Sequence, residues 1–435
     1  MSLEHAGQSI PKSCGRWADI LGAYRLLSNG AVDPHEIQRP HRDLTREACV
    51  GRGVVLAVAD ITDLDYTDHP KTTGLGKLGD GRQRGLQQHT VLAVEPEGGV
   101  LGILDQRWYT RPESPECESR RARQSRWCEA DVWSDAVRTI GASPEGCRLI
   151  HVGDRGADNF SMIRACVERG VGFLSRAMHD RLVDGDPERL WAFMGQRPVL
   201  GSMEVEVSAH RTGMQRDRRA ARTARVALRG GTVEIPAPIN DPRHTGASPC
   251  LVHVVYVCEE EPPEGVQPVD WMLLSSEAAP TGEDAQRLAG WYSRRWSIEE
   301  FHRVEKEGCR LEASQLDDAE DLKRLAAVTG VVAVRLLQLR DMASGAHAGR
   351  DDPAALRGLV SAPWIAIVAA LARVEAGRLT AQQFWRTVAR QGGWIGRTSD
   401  PRPGWKCIWR GWYDISLMVR GAMIAQTGKP PGGCV

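Results

Sequence analysis

An α/β fold is what this sequence predicts, and three patterns predict it. Two short apolar runs, Val54–Asp60 (VVLAVAD) and Leu149–Asp154 (LIHVGD), are rich in β-branched residues and bounded by turn formers, so they read as buried strands. Further strand-like runs and amphipathic helical stretches are interleaved with them between residues 51 and 177. From Ala177 to Ser276 the texture changes to short alternating segments (MEVEVSAH, ARVALRG, TVEIPAP, LVHVVYV), which read as a β-rich insertion.

Taken in order, residues 1–50 form a mostly helical N-terminal region in which Arg16–Ser28 is amphipathic. The core begins near Gly51 with strand Val54–Asp60, followed by a Gly/Lys-rich loop, Lys71–Gly85, and strand-like runs His89–Val94 and Val100–Trp108. Helix Ala130–Ile140 leads to strand Leu149–Asp154. A second helix spans Asn159–Arg169, with Asp158 as its N-cap and Gly170 as its stop, and strand Gly172–Arg176 follows. The insertion, residues 178–276, is punctuated by turn-rich links at Pro236–Pro249 and Glu259–Pro268. The core resumes at 277–344 with helices from about Glu283 to Arg340. Gly345–Pro353 (GAHAGRDDP) reads as a linker, and the rest of 345–435 as a helical, tryptophan-rich region.

Lysine plus arginine equals aspartate plus glutamate, 56 against 56, so net charge gives no sign of a nucleic-acid partner. The distribution does. His210–Arg229 carries seven arginines against one acid, and Ser119–Arg126 carries four and no acid. Such clusters neutralise phosphates and give salt-dependent binding. Of the 11 cysteines none falls in a C-x-x-C pair or at zinc spacing, and those such as Cys147, Cys166, Cys250 and Cys258 read as small core residues in a reducing compartment. No signal peptide is visible, and the longest apolar stretches, Leu325–Leu339 and Leu359–Ala372, are interrupted or too short to span a bilayer, so a soluble intracellular protein is expected.

Chemistry concentrates in three places. Each apolar strand ends in a carboxylate, Asp60 and Asp154, and Asp154 sits at a strand-to-helix junction, where side chains face a cleft. A third acid, Glu299, lies in Trp291–Lys306 (WYSRRWSIEEFHRVEK). Read as one helix, that stretch puts Tyr292, Arg295, Glu299, Arg303 and Lys306 on a single, mainly basic face. Three carboxylates in one cleft would resist ionising together unless a cation joined them. Oxygen-only donors select Mg²⁺ or Mn²⁺, and two such ions roughly 3.5–4 Å apart suit displacement at phosphorus. Asp158 and Glu300 are set aside, the first as a cap and the second because it is turned about 100° from Glu299 around a helix.

Together these residues resemble the DDE transposases of bacterial insertion sequences, the cut-and-paste group marked by Y-(2)-R-(3)-E-(6)-K. That pattern is complete here as Tyr292, Arg295, Glu299 and Lys306. Asp60 opens DITDLDY, similar to D-[TS]-T-x-x-x-[YF] with Ile61 in place of the hydroxyl residue and with Thr62 and Tyr66 retained. GDRGAD from Gly153 is similar to D-R-x-A-D. WMLLSSE (Trp271–Glu277), VAVRLLQLR from Val332, and GWKCIWRGW (Gly404–Trp412) extend the resemblance from about Ser9 to about Gln426.

The resemblance implies a ribonuclease-H-like catalytic core carrying the β-rich insertion. It implies Asp60, Asp154 and Glu299 as ligands of two Mg²⁺ ions. Tyr292, Arg295, His302, Arg303, Lys306 and Arg176 are expected on phosphates of the DNA, and Trp271 stacked on a base flipped out near the cleavage point. Trp394, Trp405, Trp409 and Trp412 read as helix-packing residues in a region that is also a candidate dimer contact. The implied reaction nicks one strand at the element's end, turns the freed 3′-hydroxyl on the opposite strand to give a hairpin, opens it and attacks target DNA. It implies a homodimer acting in trans on double-stranded DNA in the bacterial cytoplasm, on the nucleoid when bound. Relatives usually carry a few dozen further residues, including a basic helical stretch, before the segment that resembles Ser9–Asn29. The N-terminal region is therefore expected to be a shortened DNA-binding head. Two functions stay open at this point: an active transposase, and a truncated, non-catalytic remnant that binds DNA or dimerises as an inhibitor.

Overall fold

A computed structural model describes residues 7–14, 16–111, 115, 117–119, 122, 125–183, 189–207, 220–238, 241–244, 246–343, 356–357, 360–397, 400 and 403–428. The expected linker, Gly345–Pro353, and much of the two arginine clusters lie outside the described residues. In chain order the elements are α1 (Ile10–Ser13), α2 (Trp17–Leu27), α3 (Pro34–Ala48), β1 (Gly53–Asp65), β2 (Gly76–Leu78), β3 (Gln83–Val94) and β4 (Val100–Tyr109). Then come α4 (Asp131–Ile140), β5 (Cys147–Gly153), α5 (Phe160–Arg169), β6 (Gly172–Arg176), α6 (Leu190–Gly195), β7 (Val199–Val207), β8 (Arg222–Ile235), β9 (Cys250–Cys258) and β10 (Asp270–Ser275). The remainder is helical: α7 (Gly282–Ser293), α8 (Trp296–Arg303), α9 (Ala319–Ala343), α10 (Ala362–Ala372), α11 (Ala381–Gln391) and α12 (Trp405–Thr427). The class is mixed α/β.

The chain divides into two compact units. One holds Cys49–Asp60 and Pro112–Trp296. Its strands follow the order β1-β5-β6-β10-β9-β8-β7. The pairs β1–β5 and β5–β6 are parallel, as buried apolar runs favour, and from β10 onward the pairing is antiparallel. The β-rich insertion therefore joins the core strands edge to edge through β10 and β6, in register from Leu273↔Arg176 to Ser275↔Leu174. The segments ARVALRG and TVEIPAP, expected as separate strands, are one strand, β8, through Gly230 and Gly231. A Cβ on Gly230 would lie 2.6 Å from the Ala279 carbonyl oxygen, so the glycines mark close approach rather than a turn.

α5 is capped by Asn159, whose Oδ1 accepts from the Met162 N–H, and not by Asp158 as expected. Asp158 is buried instead. Its carboxylate accepts from the backbone N–H groups of Met178 and His179 and pairs with Arg181 at 2.6 Å. Gly170 ends the helix in the left-handed region, as expected.

The other unit comprises Met1–Ala48, Ile61–Arg111 and Ser297–Val435. Here β3 pairs antiparallel with β2 and β4, and α3 and α9 pack on β4. A core of Leu27, Leu64, Tyr66, Leu86, Trp108, Leu311 and Leu322 lies among these elements. Polar side chains are buried beside it. Gln88 Nε2 donates to Glu305 Oε2 at 2.5 Å, Trp108 Nε1 to Gln88 Oε1 at 2.6 Å, and Gln38 Nε2 to Gln106 Oε1 at 2.5 Å. Burial pushes the Glu305 carboxyl up to about 8 against the opposing pull of Gln88, Gln106 and Lys306. In the C-terminal helices Trp385 stacks on Trp412 with centroids 5.3 Å apart, and Trp405 is buried as well, which agrees with the packing role expected of Trp405 and Trp412.

α11 and α12 meet so closely that a Cβ on Gly411 would stand 1.8 Å from the Val388 carbonyl oxygen. Gly411→Ala is expected to destabilise the protein by about 1–3 kcal/mol, the usual range for overpacking, read as a lower urea midpoint. A second expectation follows from Glu305. The folded state keeps a proton that the unfolded chain, with its ordinary value of 4.5, has released, so stability falls as pH rises through the window from 4.5 to about 8. The buried histidines His41, His151 and His302 are pushed down, so their contribution is complete once pH exceeds their ordinary 6.5. Urea midpoints should therefore decline between about pH 6.5 and about pH 8 in the wild type, and Glu305→Gln should flatten that decline.

Candidate active site

The site is built on the ends of three neighbouring strands in the first unit. β1 and β5 pair in parallel from Gly53↔Cys147 to Val58↔Val152. Carried on by two residues, the same register sets Asp60 level with Asp154. The β5–β6 register ends at Gly153↔Ser175, which sets Arg176 beside Asp154 in turn. Asp154 leaves its strand as the cap of a 3₁₀ turn, Arg155–Ala157, with its Oδ1 accepting from the Gly156 N–H at 2.8 Å. The turn is tight because Gly153 precedes it. A Cβ there would lie 2.4 Å from the Ala157 methyl and 2.8 Å from the Trp133 ring.

Cations surround the two acids. Arg295 Nη1 donates to Asp60 Oδ2 at 3.1 Å, with both side chains 20% exposed. Arg176 donates to the Asp270 carbonyl oxygen at 2.6 Å and lies near enough to the Tyr292 hydroxyl for each to influence the other's pKa. Burial raises the Tyr292 pKa, and Arg295 and Arg176 oppose that rise. The Tyr292 ring meets Trp271 edge-on, with centroids 5.3 Å apart, so the base-stacking candidate rests on the phosphate-binding candidate. Arg155, on the exposed turn after Asp154, adds a third guanidinium; burial lowers the Arg176 pKa and the Arg155 charge lowers it further. It was not singled out from sequence, although its place directly after the acid was the signal. Two carboxylates among three guanidiniums make a region suited to an anionic ligand.

The segment expected as one continuous helix is broken. α7 ends at Ser293, Arg294 and Arg295 form a turn, and α8 starts at Trp296. The Arg294 and Arg295 N–H groups bond back three residues, to Trp291 and Tyr292, which tightens and closes the helix. The five residues read as one face are thus split. Tyr292 is buried in α7, Arg295 stands in the turn on Asp60, and Glu299 occupies the first turn of α8 in the second unit. Arg303 is exposed. His302, expected on the DNA strand, is buried beside Phe301. Burial holds its imidazole down to about 3, so it offers a phosphate neither charge nor surface. Glu300 pairs with Arg340 at 2.6 Å.

Lys306 lies in a π-helical turn, Val304–Gly308. Its Nζ donates to the Asp63 carbonyl oxygen and stands 3.4 Å from Glu312, whose carboxylate also accepts from the Asp65 N–H at 3.0 Å. Among the described residues no three His, Cys, Asp or Glu side chains form a ready metal-binding group. The donors level with one another, Asp60 and Asp154, are both hard oxygen donors, which is the chemistry Mg²⁺ requires.

Residues 2–32 match the transposase DNA-binding family. The match supports a transposase and DNA as its partner. Its described part includes α1 and α2, where Trp17 is 67% exposed and Lys12, Arg16 and Arg25 supply positive charge. No described helix is long and apolar enough to cross a membrane.

The buried Asp158–Arg181 pair holds the segment after Arg176 against the turn that follows Asp154. Arg181→Ala would leave the carboxylate buried without its cation and is expected to cost about 3–5 kcal/mol, checked by urea denaturation.

Proposed function

We propose that the chain is a DDE transposase of the insertion-sequence type, with a ribonuclease-H-like core, that cleaves and joins DNA at the ends of its element. The observation that carries this reading is the parallel β1–β5 register, Gly53↔Cys147 to Val58↔Val152, which carried on by two residues would bring Asp60 level with Asp154, with Arg295 on Asp60. The family match at residues 2–32 supports it from a separate part of the chain.

Asp60, Asp154 and Glu299 are the residues we assign to hold two Mg²⁺ ions. When bound, these ions would supply charge neutralisation and activation of the attacking oxygen at phosphorus. Arg295 already shares the Asp60 carboxylate and is placed to move a donor onto a phosphate oxygen next to the scissile bond. Arg176, held by the Asp270 carbonyl oxygen, lies close to the Tyr292 hydroxyl, so a phosphate meeting the pair finds two donors together. Lys306 is set on the Asp63 carbonyl and supplies a compact positive charge along the DNA. Trp271, braced by Tyr292, offers a face for a flipped base, which fits a hairpin route. A homodimer acting in trans on paired ends completes the proposal.

The test uses the full chain, Mg²⁺ and DNA taken from the two flanks of its gene. Asp60→Asn, Asp154→Asn and Glu299→Gln should each lower end cleavage by at least about 100-fold, the scale of deleting one preorganised electrostatic group, while gel-shift retention of the DNA is preserved. Wild-type cleavage by any one of them would remove that residue from the set. Trp271→Ala should impair hairpin formation more than first-strand nicking, measured on the same DNA in denaturing gels. An equal loss of both steps together with a lowered melting temperature would assign Trp271 to packing instead.

A further inference from the structure

The turn that carries Lys306 is anchored from the opposite side by a buried carboxyl. Val304–Gly308 is π-helical, with the Cys309 N–H bonded to the Val304 carbonyl oxygen, five residues back, at 2.8 Å. Consecutive side chains of the turn meet different surroundings. Glu305 is 0% exposed, while Lys306 reaches Asp63 and Glu312. π turns of this kind are uncommon and concentrate at functional sites.

The surroundings of Glu305 are organised to receive it. Gln88 on β3 gives it a donor at 2.5 Å, and Gln106 on β4 gives a longer one at 3.5 Å. Neither amide is adrift. Gln88 is held by the Trp108 indole, and Gln106 by Thr90 and by Gln38 of α3. Gln38 in turn donates to the Ala327 carbonyl oxygen of α9 at 3.0 Å. A single hydrogen-bonded chain therefore ties the π turn to α3, β3, β4 and α9. An apolar side chain would fill the space of Glu305 without desolvating an ionisable group, so a carboxyl there serves geometry more than stability.

We propose that Glu305 is a positioning residue, clamping the π turn to the β3–β4 hairpin so that Lys306 is held at Asp63 and Glu312 in the orientation its phosphate contact needs. The role assigned to Lys306 rests on the function proposed above; the clamp itself does not.

Two measurements on the full chain test this. In hydrogen-exchange mass spectrometry, Glu305→Leu should lose protection over residues 299–308, and Glu305→Gln, which can remake the amide contacts, should regain it. In Mg²⁺-dependent cleavage, Glu305→Leu should slow the rate at saturating DNA by about 10- to 100-fold with the half-saturating DNA concentration unchanged, as expected of a displaced group. In a Lys306→Ala background the same substitution should add less than about twofold, because residues that act as a unit are not additive. Should Glu305→Leu not fold, Gln88→Met removes the same anchor from β3 and carries the same expectations. Wild-type protection and rate in the anchor variant would overturn the proposal, as would a full further loss in the Lys306→Ala background or a loss of DNA affinity with the rate preserved. If the wild-type chain does not cleave, the proposed function fails while the exchange pattern still decides the clamp.

Discussion

Everything at the site depends on the hydrogen-bonded register between β1 and β5. Side chains alternate between faces along a strand, so a slip of one residue would turn Asp60 away from the face that Asp154 addresses. Several features fix that register. The facing residues Val55, Leu56, Ala57, Leu149 and Ile150 are fully or almost fully buried, so a slipped strand would lose its core contacts. Gly153 leaves room for the tight turn that Asp154 caps. Beyond Asp60 the same strand continues to Asp65, where Lys306 takes the Asp63 carbonyl and Glu312 takes the Asp65 N–H. Asp60 thus lies within one strand that continues to Asp65, and not at the strand end where the sequence reading placed it.

That difference shows what sequence alone could and could not reveal. Runs whose burial comes from apolar side chains were readable, and β5, α5 and β6 fall within a residue or two of their expected limits. β1 was read too short because Ile61–Asp65 carries two acids, yet Leu64 within it is fully buried and the backbone groups of its neighbours Asp63 and Asp65 find side-chain partners in Lys306 and Glu312. β3 was read from His89 because Gln87 and Gln88 look like loop residues. They are buried, and Gln88 is paid for by Glu305, more than 200 positions away in the chain and invisible to any local pattern. The break between α7 and α8 contains neither proline nor glycine, so no breaker announced it. His302, expected on the DNA one turn beyond Glu299, is buried because α8 turns it inward beside Phe301.

The acids themselves were legible, and their electrostatic setting was only half so. Net charge of zero conceals a cluster in which Asp60 and Asp154 share space with Arg155, Arg176 and Arg295. Arg295 could be named from spacing, but its partner could not, because the two lie far apart in the chain and meet only through the turn at Arg294–Arg295. The ion pair has a chemical consequence. A carboxylate already held by a guanidinium is oriented, and a guanidinium already partly buried loses less on meeting a phosphate. Preorganisation of this kind is what an enzyme acting on a polyanion requires, whereas a surface that only attracts DNA could leave its charges solvated.

The buried amides behind β3 and β4 extend the same argument inward. A layer containing Gln38, Gln88, Thr90, Gln106 and Glu305 is an expensive way to fill a core, because each polar group must be desolvated and then matched. Its return is directional. Apolar packing tolerates small rotations of a helical turn, but a hydrogen bond at 2.5 Å from Gln88 to Glu305 does not. The turn so restrained is the one that presents Lys306, and its other side is restrained by Glu312. A core that spends polar groups where one turn must be aimed, and apolar groups everywhere around it, is organised for orientation at that point and for stability elsewhere.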